Sequence, residues 1–205
     1  GCGAGGNAIG FLMEYDRMDF PQAVEHLAGT LGMEVPRDEQ TGTQTPRKVH
    51  QGLLDVLEKA ATFYQRQLQN HSDRQRAIDY LKGRGLTGAI SKDYQIGFAP
   101  PGWDNLLHEL GTDEQQRKHL VDAGRAIAKD DGRLYDRFRD RIMFPIHDSR
   151  GRVIAFGGRV LGDDKPKYLN SPETEVFHKG RELYGLYQAR KDRRPMDQLL
   201  VVEGY

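Results

Sequence analysis

The spacing of apolar residues turns from mostly helical to strand-like past the middle of this 205-residue chain, and that change limits what it can fold into. Leu53, Leu54, Leu57, Ala60, Ala61, Tyr64 and Leu68 draw one stripe over about four turns of helix, with charges opposite. Beyond Arg133 the pattern becomes that of strands, near Leu134–Tyr135, Ile142–His147, Val153–Val160 and Leu199–Val202, with Ser149-Arg150-Gly151 as a hairpin turn. Helices first and strands later predict an α+β fold: a helical N-terminal part followed by a mixed, mostly antiparallel small sheet.

The rest of the chain fills in this outline. Residues 8–35 read as a small helical unit. Asp19 and Gln22 form a capping box, Pro21 sits in the first turn, and Ala23, Val24, Leu27, Ala28 and Leu31 repeat until Gly32. Arg37 to Lys48 is polar and rich in Thr and Gln, too poor in apolar groups to repay its ordering, and reads as a tether. Ser72 is expected to cap a helix that turns Ile78 and Leu81 inward and ends at Gly83. Tyr94 to Ala99 reads as a short strand closed by Pro100-Pro101-Gly102. Trp103, Leu106, Leu107 and Leu110 are expected on one helix, and Thr112 with Gln115 caps the next, which carries Leu120 and Val121.

Composition narrows the function. The chain can bury one core and a satellite unit. It has no apolar run near the roughly 20 residues that span a bilayer, and no signal-peptide pattern in the part seen. A single Cys excludes an internal disulfide framework and fits a reducing cytosol. Charge is unevenly placed. Arg133 to Arg194 holds fifteen Arg and Lys against nine Asp and Glu, whereas residues 1–132 hold fifteen against nineteen. Such a division fits a face made for a polyanion, although a solvated sheet rim gives the same count. Both ends look cut: Cys2 lies alone between glycines, and the apolar run Leu199–Val202 stops at Glu203.

Several groups could carry chemistry. At strand spacing Arg137, Arg139 and Arg141 would share one face, where a phosphate backbone, or Asp136 and Asp140 from the side, would neutralise them. Gly157-Gly158 marks a bulge or a close backbone approach, as to a ribose-phosphate chain, or equally a barrel-like bend, with Arg159 just beyond. Lys165-Pro166-Lys167-Tyr168-Leu169-Asn170-Ser171-Pro172 is held extended by its prolines and sets Lys167 beside Tyr168, the ingredients of a single-strand platform; Lys179 adds a charge. Arg84, between two glycines, reads locally as a helix-end charge. None of the seven histidines has metal-site spacing, and the Gly-rich start lacks the Lys-Ser/Thr of a phosphate loop. Glu203 stands at the C-terminal end of an apolar strand, where open α/β sheets place functional groups, although a loop carboxylate after an edge strand gives the same pattern.

Together these strings resemble the DnaG-type bacterial DNA primase family along almost the whole chain. YDRFRDRIMFPI, GRVIAFGGR, PKYLNSPET, FHKG with LYGLY, and VVEGY resemble its polymerase-domain motifs, and CGAGGNAIGF with EYDRMDFPQAVEHLA resembles the end of its zinc-binding domain. Two departures are visible, His147 where the family pattern has Arg and Ala155 where it has Gly.

The resemblance implies residues 1–36 as the end of a zinc-binding domain with its following helix and 37–48 as a linker. It implies 49–196 as the front subdomain of an RNA polymerase domain and 197–205 as the first strand of a TOPRIM-like α/β subdomain. It implies Cys2 as one Zn²⁺ ligand, the others lying upstream. Glu203 would be the catalytic glutamate near Mg²⁺ or Mn²⁺, whose Asp ligands lie downstream. Arg84, Arg137, Arg139, Arg159, Lys167, Tyr168 and Lys179 would line a groove for template, hybrid or nucleotide. The function implied is synthesis of short RNA primers on single-stranded DNA from ribonucleoside triphosphates, in the cytoplasm at the replication fork. The implied partners are the replicative helicase, engaged through a separate C-terminal domain, and single-stranded DNA-binding protein. The alternative is a catalytically silent strand-binding fragment, and the 205 residues alone are expected to be inactive.

Overall fold

A computed structural model describes residues 6–16, 18, 20–33, 46–191, 198 and 200–202. The chain divides into two compact units, Gly1–Thr43 and Gln44–Tyr205. In the first, α1 (Ala8–Tyr15) is capped by Asn7, whose side chain accepts from the Gly10 amide at 2.8 Å. Helix α2 (Phe20–Thr30) ends as expected: Gly32 takes φ 67° and the Met33 amide donates to the Ala28 carbonyl. Leu12, Met18 and Ala23 form this unit's small core. Asp19 of the expected capping box lies outside the described residues, as do 37–45 of the expected tether.

The second unit begins with α3 (Pro46–Asn70), which reaches further back than its apolar stripe. Proline is at ease in a first turn, so residues 46–48 of the expected tether are helical. Helix α4 (Arg74–Gly83) has Asp73 at its N-cap, not Ser72, whose hydroxyl points to the Asp73 carboxylate instead. The left-handed residue after α4 is Gly85, at φ 74°, leaving Gly83 as the last helical position. Then follow α5 (Gly88–Asp93), β1 (Gly97–Ala99), α6 (Asn105–Leu110) and α7 (Glu114–Asp122). Trp103 is outside α6 and exposed, against the helix expected to include it. The α7 cap is shifted by one from Thr112 and Gln115. Asp113 is extended and accepts from the Gln116 amide at 2.7 Å, as a charged acceptor does best there.

Strands β2 (Ala126–Ala128) and β3 (Leu134–Asp136) pair as a hairpin. Strands β4 (Arg141–His147), β5 (Val153–Val160) and β6 (Tyr168–Asn170) join β1 in an antiparallel sheet of order β1-β4-β5-β6. A 3₁₀ turn at Lys179–Arg181 and α8 (Leu186–Lys191) close the described fold. The α+β class with an antiparallel sheet is the one expected. Leu200, Val201 and Val202 are not in a strand: among the described residues none pairs with them, and they are exposed.

The sheet is buried on both faces. Met143, Val153 and Phe156 pack with Leu53, Leu57, Ala60 and Tyr64 of α3. Phe98, Ile142 and Phe144 pack with Ala77 and Leu81 of α4. Helix α3 crosses β1 so closely that a Cβ at Gly97 would lie 2.5 Å from the Tyr64 Cβ. Gly158 is neither a bulge nor an exposed backbone site. The register shift lies at Ile146/His147, and the space a Gly158 side chain would need holds the Phe138 ring.

Candidate nucleic-acid interface

Antiparallel pairing places Ile142, Arg159 and Tyr168 opposite one another across β4, β5 and β6, and directly opposed residues project to the same face. Helix α4 packs on that face and brings Tyr80 with it. The Arg159 guanidinium carbon lies 5.5 Å from the centre of the Tyr80 ring and 5.2 Å from that of Tyr168. Arg84, one helical turn beyond Tyr80, lies 5.7 Å from the same Tyr80 ring. The Lys167 ammonium is 6.0 Å from the Tyr168 ring. Two of the expected site residues, Arg84 and Arg159, thus meet on a tyrosine that sequence reading passed over as part of a helix, and Arg159 links them to the expected pair Tyr168 and Lys167. The spacing of Tyr80 and Arg84 was the available signal.

A second set forms where β3 meets the loop after β1. Arg139 lies 4.3 Å from the centre of Trp103 and 5.4 Å from that of Tyr135; Lys129 lies 5.7 and 5.4 Å from the same two rings. Trp103 and Tyr135 meet edge to face at 5.7 Å. Trp103 is 60% exposed, so a large flat ring flanked by two cations faces solvent. Trp103, Tyr135 and Lys129 were missed in the sequence. The clue was a lone Trp directly after Pro100-Pro101-Gly102, where a helix does not continue.

The expected row Arg137, Arg139, Arg141 does not exist as one face. The strand breaks between Asp136 and Arg141, with Asp140 at φ 47°. Only Arg139 reaches the aromatic pair, its guanidinium also donating to the Asp136 carbonyl. Arg137 is half-buried and its amide donates to the Arg125 carbonyl; burial draws its pKa down. Arg141 is buried; desolvation and then the neighbouring Arg139 draw its pKa down, and its guanidinium reaches the Lys167 carbonyl at 3.5 Å. The two aspartates serve elsewhere. Asp140 pairs with Arg76 through two 3.2 Å contacts, and Asp136 accepts from the Leu106 and Leu107 amides at 2.7 and 3.0 Å, capping α6. Burial nevertheless raises the Asp136 pKa to about 6.

Lys179 is exposed, and its amide donates to the Glu173 carboxylate, which His178 also contacts. Behind the interface, Arg125 is fully buried between the Phe138 and Phe156 rings, 4.8 Å from each, and donates to Ser171 at the end of β6. Burial lowers its pKa to about 10. The ion pairs among the described residues engage Arg66, Arg76, Lys118, Arg133 and Arg152, and leave Arg84, Lys129, Arg139, Arg159 and Lys167 without a described carboxylate partner.

Cys2 and Glu203 lie outside the described residues. Among the described residues no three His, Cys, Asp or Glu side chains gather as metal ligands, and no helix is long and apolar enough to cross a membrane.

Residues 63–190 match the family described as DNA primase catalytic core, N-terminal domain, and residues 1–43 match the CHC2 zinc finger, which supports Zn²⁺ for the first unit. A DNA primase of Pseudomonas putida is 62% identical over 207 residues, covering 100% of this chain and 31% of the relative. The structure of a DnaG primase catalytic domain bound to single-stranded DNA superposes with a TM-score of 0.73 at 55% identity, over 77% of this chain and 50% of that one. A DNA primase domain from Pseudomonas aeruginosa gives 0.72 at 64% identity, over 75% of this chain and 48% of that one. The chain spans about a third of the length of the curated relatives it matches. The match of residues 63–190 to the catalytic-core N-terminal domain, on an antiparallel sheet that superposes on solved primase domains, and the 62% identity along the whole chain make this chain a member of the DnaG-type DNA primase family.

Proposed function

We propose that this chain is the strand-holding front part of a DNA primase, an RNA polymerase that makes short RNA primers on a single-stranded DNA template. The observation that carries this is that, among the described residues, these cations lie on rings and not on carboxylates. Arg84, Arg159 and Lys167 lie on Tyr80 and Tyr168, and Arg139 and Lys129 on Trp103 and Tyr135. Guanidinium and ammonium groups take phosphate oxygens while an exposed ring takes a base face, the combination that holds single strands without reading sequence. The single-stranded DNA bound to the similar catalytic domain supports the same ligand here.

In this reading residues 49–196 form the strand-binding subdomain, and 197–205 open the TOPRIM subdomain with Glu203 at the reaction centre. Mg²⁺ or Mn²⁺ would supply polarisation of the nucleotide's α-phosphate. Cys2 is one Zn²⁺ ligand of the N-terminal finger. Ribonucleoside triphosphates, the RNA primer, the replicative helicase and single-stranded DNA-binding protein are the proposed partners of the whole enzyme. Residues 1–205 alone are expected to bind strand without making primer.

The test is a salt titration of single-strand binding by the 205-residue chain. Arg139→Ala and Lys167→Ala should each lower the slope of log affinity against log salt by roughly 0.7, with no change in sequence preference. Equal slopes and affinities in wild type and both variants would reject the interface. Ribonucleotide incorporation on a template by residues 1–205 would show the active site to be misplaced.

A further inference from the structure

We propose that Tyr80 is a positioning residue whose ring gathers Arg84 and Arg159 into one site for phosphate oxygens. This rests on the reading of the surface as a binder of phosphate-bearing ligands, and assigns the site's assembly to a residue outside the expected set.

Arg84 and Arg159 come from different elements and share the Tyr80 ring, at 5.7 and 5.5 Å from its centre. Tyr80 is able to hold them because it is itself held. It is half-buried and packs on the cluster of Leu81, Phe98, Ile142 and Phe144 between α4 and the sheet. Both arms start from fixed backbone. Arg84 is the C-cap of α4, its backbone N–H donating to the Tyr80 and Leu81 carbonyls, and is followed by Gly85 in the left-handed conformation. Arg159 lies on β5, paired on both sides, and a guanidinium N–H donates to the Val160 carbonyl at 2.6 Å.

Two guanidinium groups drawn to one ring repel each other, and no described carboxylate pairs with either. The negative face of the ring offsets part of that repulsion, and phosphate oxygens accepting from the two guanidinium groups would offset the rest. Tyr168, 5.2 Å from Arg159, sets a second ring against the same cation. With an aliphatic side chain at position 80 both charges remain, but the exposed Arg84 arm regains its rotamer freedom and must be ordered again on binding. The ligand chemistry is phosphate, supplied either by the backbone of a strand or by the tail of a nucleoside triphosphate.

The experiment is a double-mutant cycle on the 205-residue chain with two probes, a labelled strand of roughly 15 thymidines and ATP. Tyr80→Leu should weaken binding of at least one probe by about fivefold without lowering the salt slope, because no charge is lost. Tyr80→Phe, which keeps the ring, should stay within about twofold of wild type. In an Arg84→Ala/Arg159→Ala background Tyr80→Leu should add nothing. A loss for the strand alone assigns the site to the template backbone, and a loss for ATP alone assigns it to the triphosphate. If Tyr80→Leu binds both probes as wild type does while the double Arg variant is weakened, the positioning role is wrong and the interface stands. If the double Arg variant also binds as wild type, both fail. An undiminished Tyr80→Leu effect in the Arg-less background would mean the ring acts through the core, and would likewise overturn the proposal. Should Tyr80→Leu not fold, Tyr80→Met fills the same half-buried seat and enters the cycle in its place.

Discussion

Adding a single methyl at Gly158 tests the packing behind the interface. An ideal Cβ there would lie 2.7 and 3.0 Å from two Phe138 ring carbons and 3.2 Å from the Arg141 Cδ. Neither side can yield. Phe138 is 2% exposed and its ring lies 4.8 Å from the buried Arg125 guanidinium, which the Phe156 ring flanks at the same distance. The backbone of β5 is held at this point by Met143 on one strand and Leu169 on the other. Overpacking of this kind costs about 1–3 kcal/mol, and the loss of glycine's freedom in the unfolded chain returns about 0.5–1 kcal/mol. Gly158→Ala should therefore be destabilised by about 1–2 kcal/mol, lowering Tm by about 2–8 °C in a chain of this size. Gly83→Ala is the matched control. It is the last residue of α4, nothing lies within 4 Å of its added Cβ, and it should be stabilised by about 0.5–1 kcal/mol. Thermal melts followed by far-UV circular dichroism compare the three proteins. A Gly158→Ala melt at or above the wild-type temperature would refute the argument that the glycine exists to seat Phe138.

Three further outcomes are expected. Trp103→Ala should weaken strand binding by about 1–3 kcal/mol while leaving the salt slope unchanged, since a stacking face and no charge is removed. Trp103 is the only tryptophan, so its emission should also change on strand binding, and a flat titration would contradict the platform. Asp136, raised from 3.8 to about 6 by burial, binds its proton more readily folded than unfolded. Its share of stability is full below about pH 4 and is lost, by about 3 kcal/mol, as pH rises through about 6. Asp136→Asn should remove that slope from urea midpoints taken between those pH values, and an unchanged slope would reject it. His147 is the opposite case: burial lowers its pKa, and the neutral ring accepts from Gln188 and donates to Gln95. Its share of stability is present above the unfolded value of 6.5 and lost as pH falls through the folded one, so a His147 NMR titration midpoint at or above 6.5 would count against it.

The sequence by itself determined the elements whose information is carried by their own periodicity. The stripe from Leu53 to Leu68 is α3, Ile142–His147 and Val153–Val160 are the two central strands, and the chain is helical first and sheet later as its apolar spacing requires. Where two neighbouring residues could do the same local work, the pattern missed by one position: Asp73 and not Ser72 holds the N-cap position of α4, without a side-chain cap bond, and Asp113 caps α7 in place of Thr112. Where local pattern and backbone geometry conflicted, it misled. Arginines at 137, 139 and 141 alternate like a strand, yet Asp140 in the left-handed region separates β3 from β4 and sends the three side chains to different surroundings. Which cations share a site was decided only by tertiary structure. The β5–β6 register sets Arg159 against Tyr168, the seating of α4 on the sheet sets Tyr80 and Arg84 over Arg159, and the loop after β1 carries Trp103 to Arg139. Periodicity and capping act over one or two turns of chain, whereas these meetings depend on strand register and helix packing between distant segments, and no local pattern of residues encodes either.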